Sequence, residues 1–433
     1  MSTITPPGHI LLILRRLKEN GHAAFLVGGC VRDAVMGRPM RDWDIATSAA
    51  PLDVARLFRE AVMIGAKFGT VTVVIPRFAE VTTLQRQASP KRNEASARKR
   101  RKEDILSPGK EQAEHIEVDE VQVTTFRTED EYLDGRHPAV VEFVATLDED
   151  LSRRDFTINA MACSIMGKII DLFGGQEDIG NKLIRCVGDP GTRFSDDALR
   201  MFRAFRFRAE LGFEIEVGTM EAVRTNAHNA AQISSERIRD ELDKTLMSQR
   251  PETAGEIIQC GLLDRYLISR FDGDLCLSLR NIALLPASSI LRWCAFTHAL
   301  LEKKLIVSAT RFLRELHIDD KTVKTCSAAM SVRSFPVTRP AIKRLMAKHG
   351  TNAVRCAAAI FDVKNESAAL DSIDEIVNSG ECFSLHDLAV SGKDLLNRGY
   401  TPGPEIGKTL DKLLRHVIER PEDNSREVLL GLL

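Results

Sequence analysis

Residues 25–51 read FLVGGCVRDAVMGRPMRDWDIATSAAP, and this stretch decides the fold. The β-rich run AAFLVGG (23–29) ends in a glycine pair, and GGCVRDAVMG (28–37) reads as a glycine turn opening a short helix. Asp42 and Asp44 flank Trp43 and lead into Ile45 and Ala46. On a strand, alternate side chains share a face, so both carboxylates point the same way, about 7 Å apart along the chain. Like charges that close repel and raise a pKa unless something positive lies between them. Glycines let backbone approach a phosphate closely, and Arg32 falls near the same place. A glycine turn, an arginine and two same-face carboxylates suggest a metal–triphosphate site. Two divalent cations there activate an attacking hydroxyl and stabilise a leaving pyrophosphate. A bare D-x-D is more often a turn or a solvated edge strand, so its neighbours carry the argument.

The chain has 433 residues, 44% of them apolar and 28% charged, a globular composition long enough for several domains. A net charge of −1 excludes a polycation, so nucleic-acid binding must come from local patches. Nine cysteines are scattered singly, with no CxxC pair. Disulfide frameworks and zinc sites are therefore not expected, and a reducing compartment is. At the amino terminus the apolar run is short and Arg15–Arg16 follow it, the reverse of a signal peptide. No clean run of 18 apolar residues exists, so no membrane span is expected.

Downstream of the opening stretch, PLDVARLFREA (51–61) reads as a helix with Pro51 near its start, and GTVTVVI (69–75) as a strand. From about residue 195 the pattern is almost wholly helical. DDALRMFRAFRFRAELG (196–212) reads as one helix ending at a glycine, and SSERIRDELDKTLMS (234–248) as another with serines suited to its N-cap. RGYTPGPEIGKTLDKLL (398–414) sets a Pro/Gly turn before a helix. Residues 85–115 lack apolar periodicity and hold the basic run Arg98–Lys102, as a disordered or mobile insertion would. They lie between two near copies of one phrase, EVTTL (80–84) and QVTTF (122–126).

Residues 25–51 resemble the signature of the class II tRNA nucleotidyltransferases, the CCA-adding enzymes and bacterial poly(A) polymerases. The resemblance continues through EDLSRRDFTINAMA (149–162), IIDLFGGQEDI (169–179), GDPGTRFSDDALRMFRAFRFRAELGFEIE (188–216), SSERIRDEL and LAVSGKDLLNRGYTPGPEIG (388–407). These blocks run along nearly the whole chain in family order. The resemblance implies an α+β chain: a small nucleotidyltransferase head with a mixed β-sheet and helices, then an all-helical neck, body and tail. The head would span 1–165 with an insertion at about 85–118, the neck 166–225, the body 226–335 and the tRNA-binding tail 336–433.

Roles follow by position from the resemblance. Gly29 and Arg32 would contact the nucleotide's phosphates, and Arg154 in RRDFT the nucleotide. Asp42 and Asp44 would hold Mg²⁺, while Asp155 and Asn159 brace their turn. Asp197, Arg200, Arg203 and Arg206 are spaced by threes along one drifting helical face, with Met201, Phe202, Phe205 and Leu211 on an apolar side. An isolated charged stripe is usually just solvated. In the family this motif is a protein template: Asp197 and Arg200 would hydrogen-bond the base edge of CTP or ATP, and Arg203 and Arg206 would serve phosphates or sugar. The motif's usual first residue is glutamate, and here it is Asp196. A third carboxylate is expected in a phrase like EVTTFR. Gln122 occupies that place in the second copy, so Glu80 in the first copy is favoured. TEDEYLDGRHP (128–138) resembles the flexible loop that helps to switch nucleotide choice.

The implied activity is template-independent addition of CCA to the tRNA 3′ end from CTP and ATP, by two-metal transfer, in the cytoplasm. Alternatives are an A-adding or CC-adding enzyme, a poly(A) polymerase or an inactive RNA-binding protein. Against the last stands the intact Asp42/Asp44 pair, and against poly(A) polymerase the segment IGAKFGTVTVV (64–74) with DGRHP. An apparently complete loop argues against CC-only addition but not against A-only addition. Lys and Arg along 234–250 and 391–415 are candidates for gripping tRNA by backbone shape. His386–Asp387 lacks the neighbours a phosphohydrolase metal site needs, and is expected to start a helix. Oligomeric state is not legible.

Overall fold

Strands β1 (Ala24–Val27), β2 (Asp44–Thr47), β3 (Ala61–Val62), β4 (Thr70–Pro76) and β5 (Val118–Thr125) are followed by a separate pair, β6 (Arg127–Glu129) with β7 (Val141–Phe143). Together with β8 (Met161–Cys163) and β9 (Ile169–Asp171) the first five make one seven-stranded sheet, ordered β3-β4-β5-β2-β1-β8-β9. The β2–β5 pairing is parallel and the others antiparallel, which makes the sheet mixed. The computed structural model describes residues 4–40, 42–76, 118–129, 141–144, 146–271, 273–365 and 369–433. Glu80, the 85–118 insertion up to residue 117, and most of the 128–138 loop lie outside the described residues. The chain divides into two units, Met1–Asp197 with Glu214–Met220, and Ala198–Phe213 with Glu221–Leu433.

In the first unit the period-two pattern buries both sheet faces. Leu26, Ile45, Val71, Val73, Val121 and Val123 share a core with Ile10, Ile13, Leu14 and Leu17 of helix α1 (Gly8–Glu19). Their spacing of three and four along α1 gives it one apolar stripe. On the opposite face Val27, Ala46, Phe126 and Ala162 pack with Leu147 and Leu151. Helix α2 (Gly29–Val35) leaves the end of β1, and α3 (Pro51–Leu57) follows β2.

Helices fill the second unit. Helix Leu199–Leu211 packs on Ser235–Met247 and Thr253–Gln259. Arg206 donates to Glu241 at 2.6 Å, and Arg208 to Glu256 at 3.0 Å. Nearer the carboxy terminus Ile342, Met346, Val354, Ala358, Ile373 and Ile376 form one core, and Leu413, Leu414, Val417 and Ile418 another with Val390 and Leu429. Lys343 is fully buried and its ammonium is held by Glu381, which also accepts from Arg339 and Ser379. No helix among the described residues is long and apolar enough to cross a membrane.

Three local expectations are corrected. The helix expected over 196–212 is two helices, Pro190–Asp196 and Leu199–Leu211, with Asp197 extended between them at φ −142° and ψ 102°. Ser195, Asp196 and Asp197 are weak helix formers whose side chains compete for backbone hydrogen bonds. The second of these helices does end at a glycine, Gly212, at φ 72°. Ser234 sits at the N-cap position of Ser235–Met247, but its hydroxyl makes no cap bond. His386–Asp387 is a turn: Asp387 accepts from the Ser384 N–H at 3.0 Å and its hydroxyl at 2.8 Å, an arrangement that competes with helix.

Glu381 supplies a stability test. Burial pushes its carboxyl up, but bonds from Arg339, Lys343 and Ser379 outweigh this and hold it at about 2. A depressed carboxylate stabilises the fold above its unfolded value of 4.5, and that stabilisation fades as pH falls toward 2. Glu381→Gln leaves Lys343 buried without its anion, at a cost of ~3 kcal/mol at neutral pH. In urea unfolding, wild type and variant are expected to differ at pH 7 and to converge as the pH drops below 4.5.

Candidate active site

The site grows from the end of β1. Leu26 pairs with Ile45, which sets Val27 against Asp44, and Val27 in turn pairs with Ala162. On its other side Asp44 pairs with Gln122. Ala162, Val27, Asp44 and Gln122 therefore make one row across the sheet, on the face opposite Ile45. The position beside Asp44 on the neighbouring strand is thus an amide. Asp42 lies before the strand, which begins only at Asp44. Pairing with β1 stops there because Gly28 turns away at φ 74°. The two carboxylates still sense each other. Burial pushes the Asp44 carboxyl above its ordinary value, the Arg154 guanidinium pulls it back, and Asp42 pushes it up further.

Gly28 answers two demands at once. Its positive φ is strained for any residue with a side chain, and a Cβ there would stand 3.2 Å from Arg154 Nη1 and 3.9 Å from Asp44 Oδ2. The close-approach glycine is therefore Gly28; Gly29 is the first residue of α2.

Arg154 is aimed by Asp150. Asp150 is 1% exposed and accepts from Arg154 at 3.0 Å and from Arg153 at 2.7 Å. Burial pushes its carboxyl up, yet the two guanidiniums hold it below the ordinary range. Sequence reading passed over Asp150, although its spacing of three and four to two arginines was a visible signal. Arg32 is nine-tenths buried. It donates to Asn159 at 2.9 Å and to its neighbour Asp33 at 2.9 Å, while Asn159 donates to Asp155 at 3.4 Å. Asn159 and Asp155 thus brace Arg32. Asp197 also belongs to this unit, and its N–H bonds the Arg193 carbonyl at 3.3 Å.

Arg200, Arg203 and Arg206 belong to the second unit. Arg200 is buried, and Arg203 lies 5.5 Å from the Phe207 ring centre. Arg206 was expected to serve phosphates or sugar. In the structure it is held by Glu241 at 2.6 Å and Glu210 at 3.2 Å and stacks on Phe207 at 4.1 Å.

Asp42 and Asp44 offer oxygen donors only, and burial together with the Asp42 charge holds the Asp44 carboxyl above its ordinary value despite Arg154. Hard divalent cations are bound by one or two such carboxylates together with substrate phosphates, so the donor set fits Mg²⁺. No group of three or more His, Cys, Asp or Glu placed to hold a metal occurs among the described residues.

Comparison with known proteins identifies the chain's relatives. A poly(A) polymerase head domain model matches residues 24–111 and again 88–185. The first match contains EVTTL and the second QVTTF. A model for an RNA and SrmB-binding site of polymerase A matches 212–267, and a tRNA nucleotidyltransferase domain 2 model matches 286–433. A CCA-adding enzyme of Geobacillus sp. (strain WCH70) is 34% identical over 96% of this chain and 93% of its own length. That of Bacillus pumilus (strain SAFR-032) is 34% identical over 98% and 96%. The crystal structure of the Bacillus stearothermophilus CCA-adding enzyme in complex with CTP superposes with TM-score 0.76 at 30% identity, covering 99% of this chain and 97% of that one.

Arg154→Gln removes the charge that pulls Asp44 down. The Asp44 titration, followed by NMR of its carboxyl carbon in metal-free protein, is expected to move to higher pH, and nucleoside triphosphate affinity to fall roughly tenfold. An unmoved titration would detach Arg154 from Asp44.

Proposed function

The chain belongs to the CCA-adding enzyme family, and on that premise we propose that it builds the 3′-terminal CCA of tRNA from CTP and ATP, releasing pyrophosphate. It is a tRNA nucleotidyltransferase. The observation that carries the reading at the level of chemistry is Asp44, which senses the Asp42 charge, facing Arg154 across the Cβ-less Gly28.

Asp42 and Asp44 would hold Mg²⁺, which when bound supplies Lewis acidity to the attacking hydroxyl and the departing pyrophosphate. The tRNA 3′-hydroxyl attacks the α-phosphorus, a P–O bond forms to the new nucleotide, and the bond to pyrophosphate breaks. Arg154, aimed by Asp150, takes phosphate charge as it develops, and the backbone at Gly28 and Gly29 lets the triphosphate lie close. Arg32, braced by Asn159, closes the same site. Asp197 would supply an acceptor and Arg200 a fork of donors, the kinds of group that read a base edge without a template. Arg203 lies next along that helix. Glu80 is kept as the supporting acid, since Gln122 gives Asp44 a neutral neighbour. The head, neck, body and tail divide at residues 165, 225 and 335. Action on tRNA and nine cysteines with no disulfide support a cytoplasmic setting.

Three synthetic tRNAs test this, ending before CCA, after C and after CC, each with CTP, ATP or both and Mg²⁺. Ordered C, C, A addition to the shortest, then a stop, is expected. Addition of A alone to the CC-ended tRNA would mean an A-adding enzyme, and long A tails a poly(A) polymerase. Asp42→Ala is expected to lower transfer by roughly 10³-fold or more, about 4 kcal/mol, with tRNA affinity retained. Arg200→Ala is expected to damage choice among CTP, ATP, UTP and GTP more than total turnover, as an incorporation panel would reveal.

A further inference from the structure

The second unit holds a cavity of about 270 Å³ to which the reaction above assigns no role. Arg224, Arg265 and Arg270 line it, with Asp264 as the only carboxylate among its lining residues. Its wall includes Cys260, which is buried. Burial pushes the Cys260 thiol up, and Arg224 and Arg270 pull it back, so both guanidiniums reach the same spot. Arg265 is pre-set: it donates to the Ala231 carbonyl at 2.8 Å and lies over the Tyr266 ring at 4.6 Å. Three guanidiniums converge in a chain whose net charge is only −1.

The guanidinium fork matches phosphate oxygens, and three such forks against one lining carboxylate, Asp264, give the wall an excess of positive charge. The volume lies below the roughly 300–1,000 Å³ typical of drug-sized ligand sites, so it suits one phosphate group better than a whole nucleotide. A second cavity of about 220 Å³ shares Arg265 and continues past Ile268 and Val307 to Arg311, which donates to Glu315 at 2.7 Å on the same wall. Two adjoining cavities hinged on one arginine fit successive units of a polymer, where a small anion needs only one. All the lining residues named for the first cavity except Arg270 fall in the segment that matches the RNA-binding-site model, 212–267.

We propose that the Arg224–Arg265–Arg270 cavity seats a backbone phosphodiester of the tRNA substrate and contributes to tRNA affinity. The inference rests on the proposed function for the identity of the RNA. It adds a site outside the basic stretches 234–250 and 391–415 considered from sequence.

The test is the double variant Arg224→Gln/Arg270→Gln, which neutralises two exposed side chains and spares the anchored Arg265. Its fold is checked by thermal unfolding, and Arg270→Gln alone replaces it if the pair fails to fold. Direct tRNA binding is measured across a salt series without nucleotide, alongside KM for tRNA and for CTP. Expected are a roughly tenfold weaker tRNA Kd at 0.1 M salt and a log–log salt slope smaller by about 1, with tRNA KM rising in step and CTP KM unmoved. Unchanged tRNA affinity and slope would overturn the proposal. So would a thermal stabilisation of wild type by millimolar pyrophosphate that the variant lacks, paired with equal tRNA binding, because the cavity would then be a small-anion site. Binding is read independently of transfer: a wild type that binds tRNA but extends none would sink the proposed function and leave this test standing.

Discussion

One buried carboxylate, Asp150, governs the geometry of the head. It lies on the short helix Leu147–Ser152, whose Leu147 and Leu151 pack on one face of the sheet. Sheet packing therefore fixes where Asp150 sits, and Asp150 fixes where two arginines point. A buried anion deprived of such partners would cost several kcal/mol, so the ion group and the hydrophobic layer stand or fall together. Arg154 in turn offsets the effect of burial on Asp44, and its closeness adds crowding at position 28 to the strain that the positive φ imposes on any side chain there. The sequence of dependence runs from apolar spacing on a six-residue helix to the charge state of an acid on the sheet.

Much of this was written locally. The glycine pair after an apolar run, the strand at 69–75 and the helix start at Pro51 are short-range patterns and form as read, but that helix stops at Leu57 rather than running to 61, and Ala61 opens a strand. The start of β2 was not legible, because it depends on where β1 stops pairing, and that depends on the backbone angle of Gly28. Arg32 and Asn159 bond across 127 residues of chain, and Arg206 and Glu241 across 35. No periodicity encodes such partners. Arg206 shares a helical stripe with Arg200 and Arg203, and the stripe does not say that Arg206 meets Glu241 on another helix.

The break at Asp197 is instructive in the same way. A threefold spacing reads as a helical face whether or not the helix is continuous. Here the acid stands in extended backbone at the end of one helix and the arginines on the next. The side chain thereby gains a direction that a helical position would not give it. Local propensity held that information in the weak helix formers Ser195 to Asp197, but the stronger amphipathic pattern after them masked it.

The pairing of β4 with β5 runs to Pro76 opposite Val118. The chain leaves the sheet and re-enters it at adjacent points, so whatever the residues from 77 to 117 do, the ladder is closed beneath them. Loop closure grows only with the logarithm of loop length, so a long excursion there costs the sheet little more than a short one. The hairpin end is thus a permissive graft point. Beyond Glu80, sequence can be gained, lost or exchanged there over evolutionary time, or by an engineer fusing a passenger domain, without shifting the register that sets Asp44 beside Gln122.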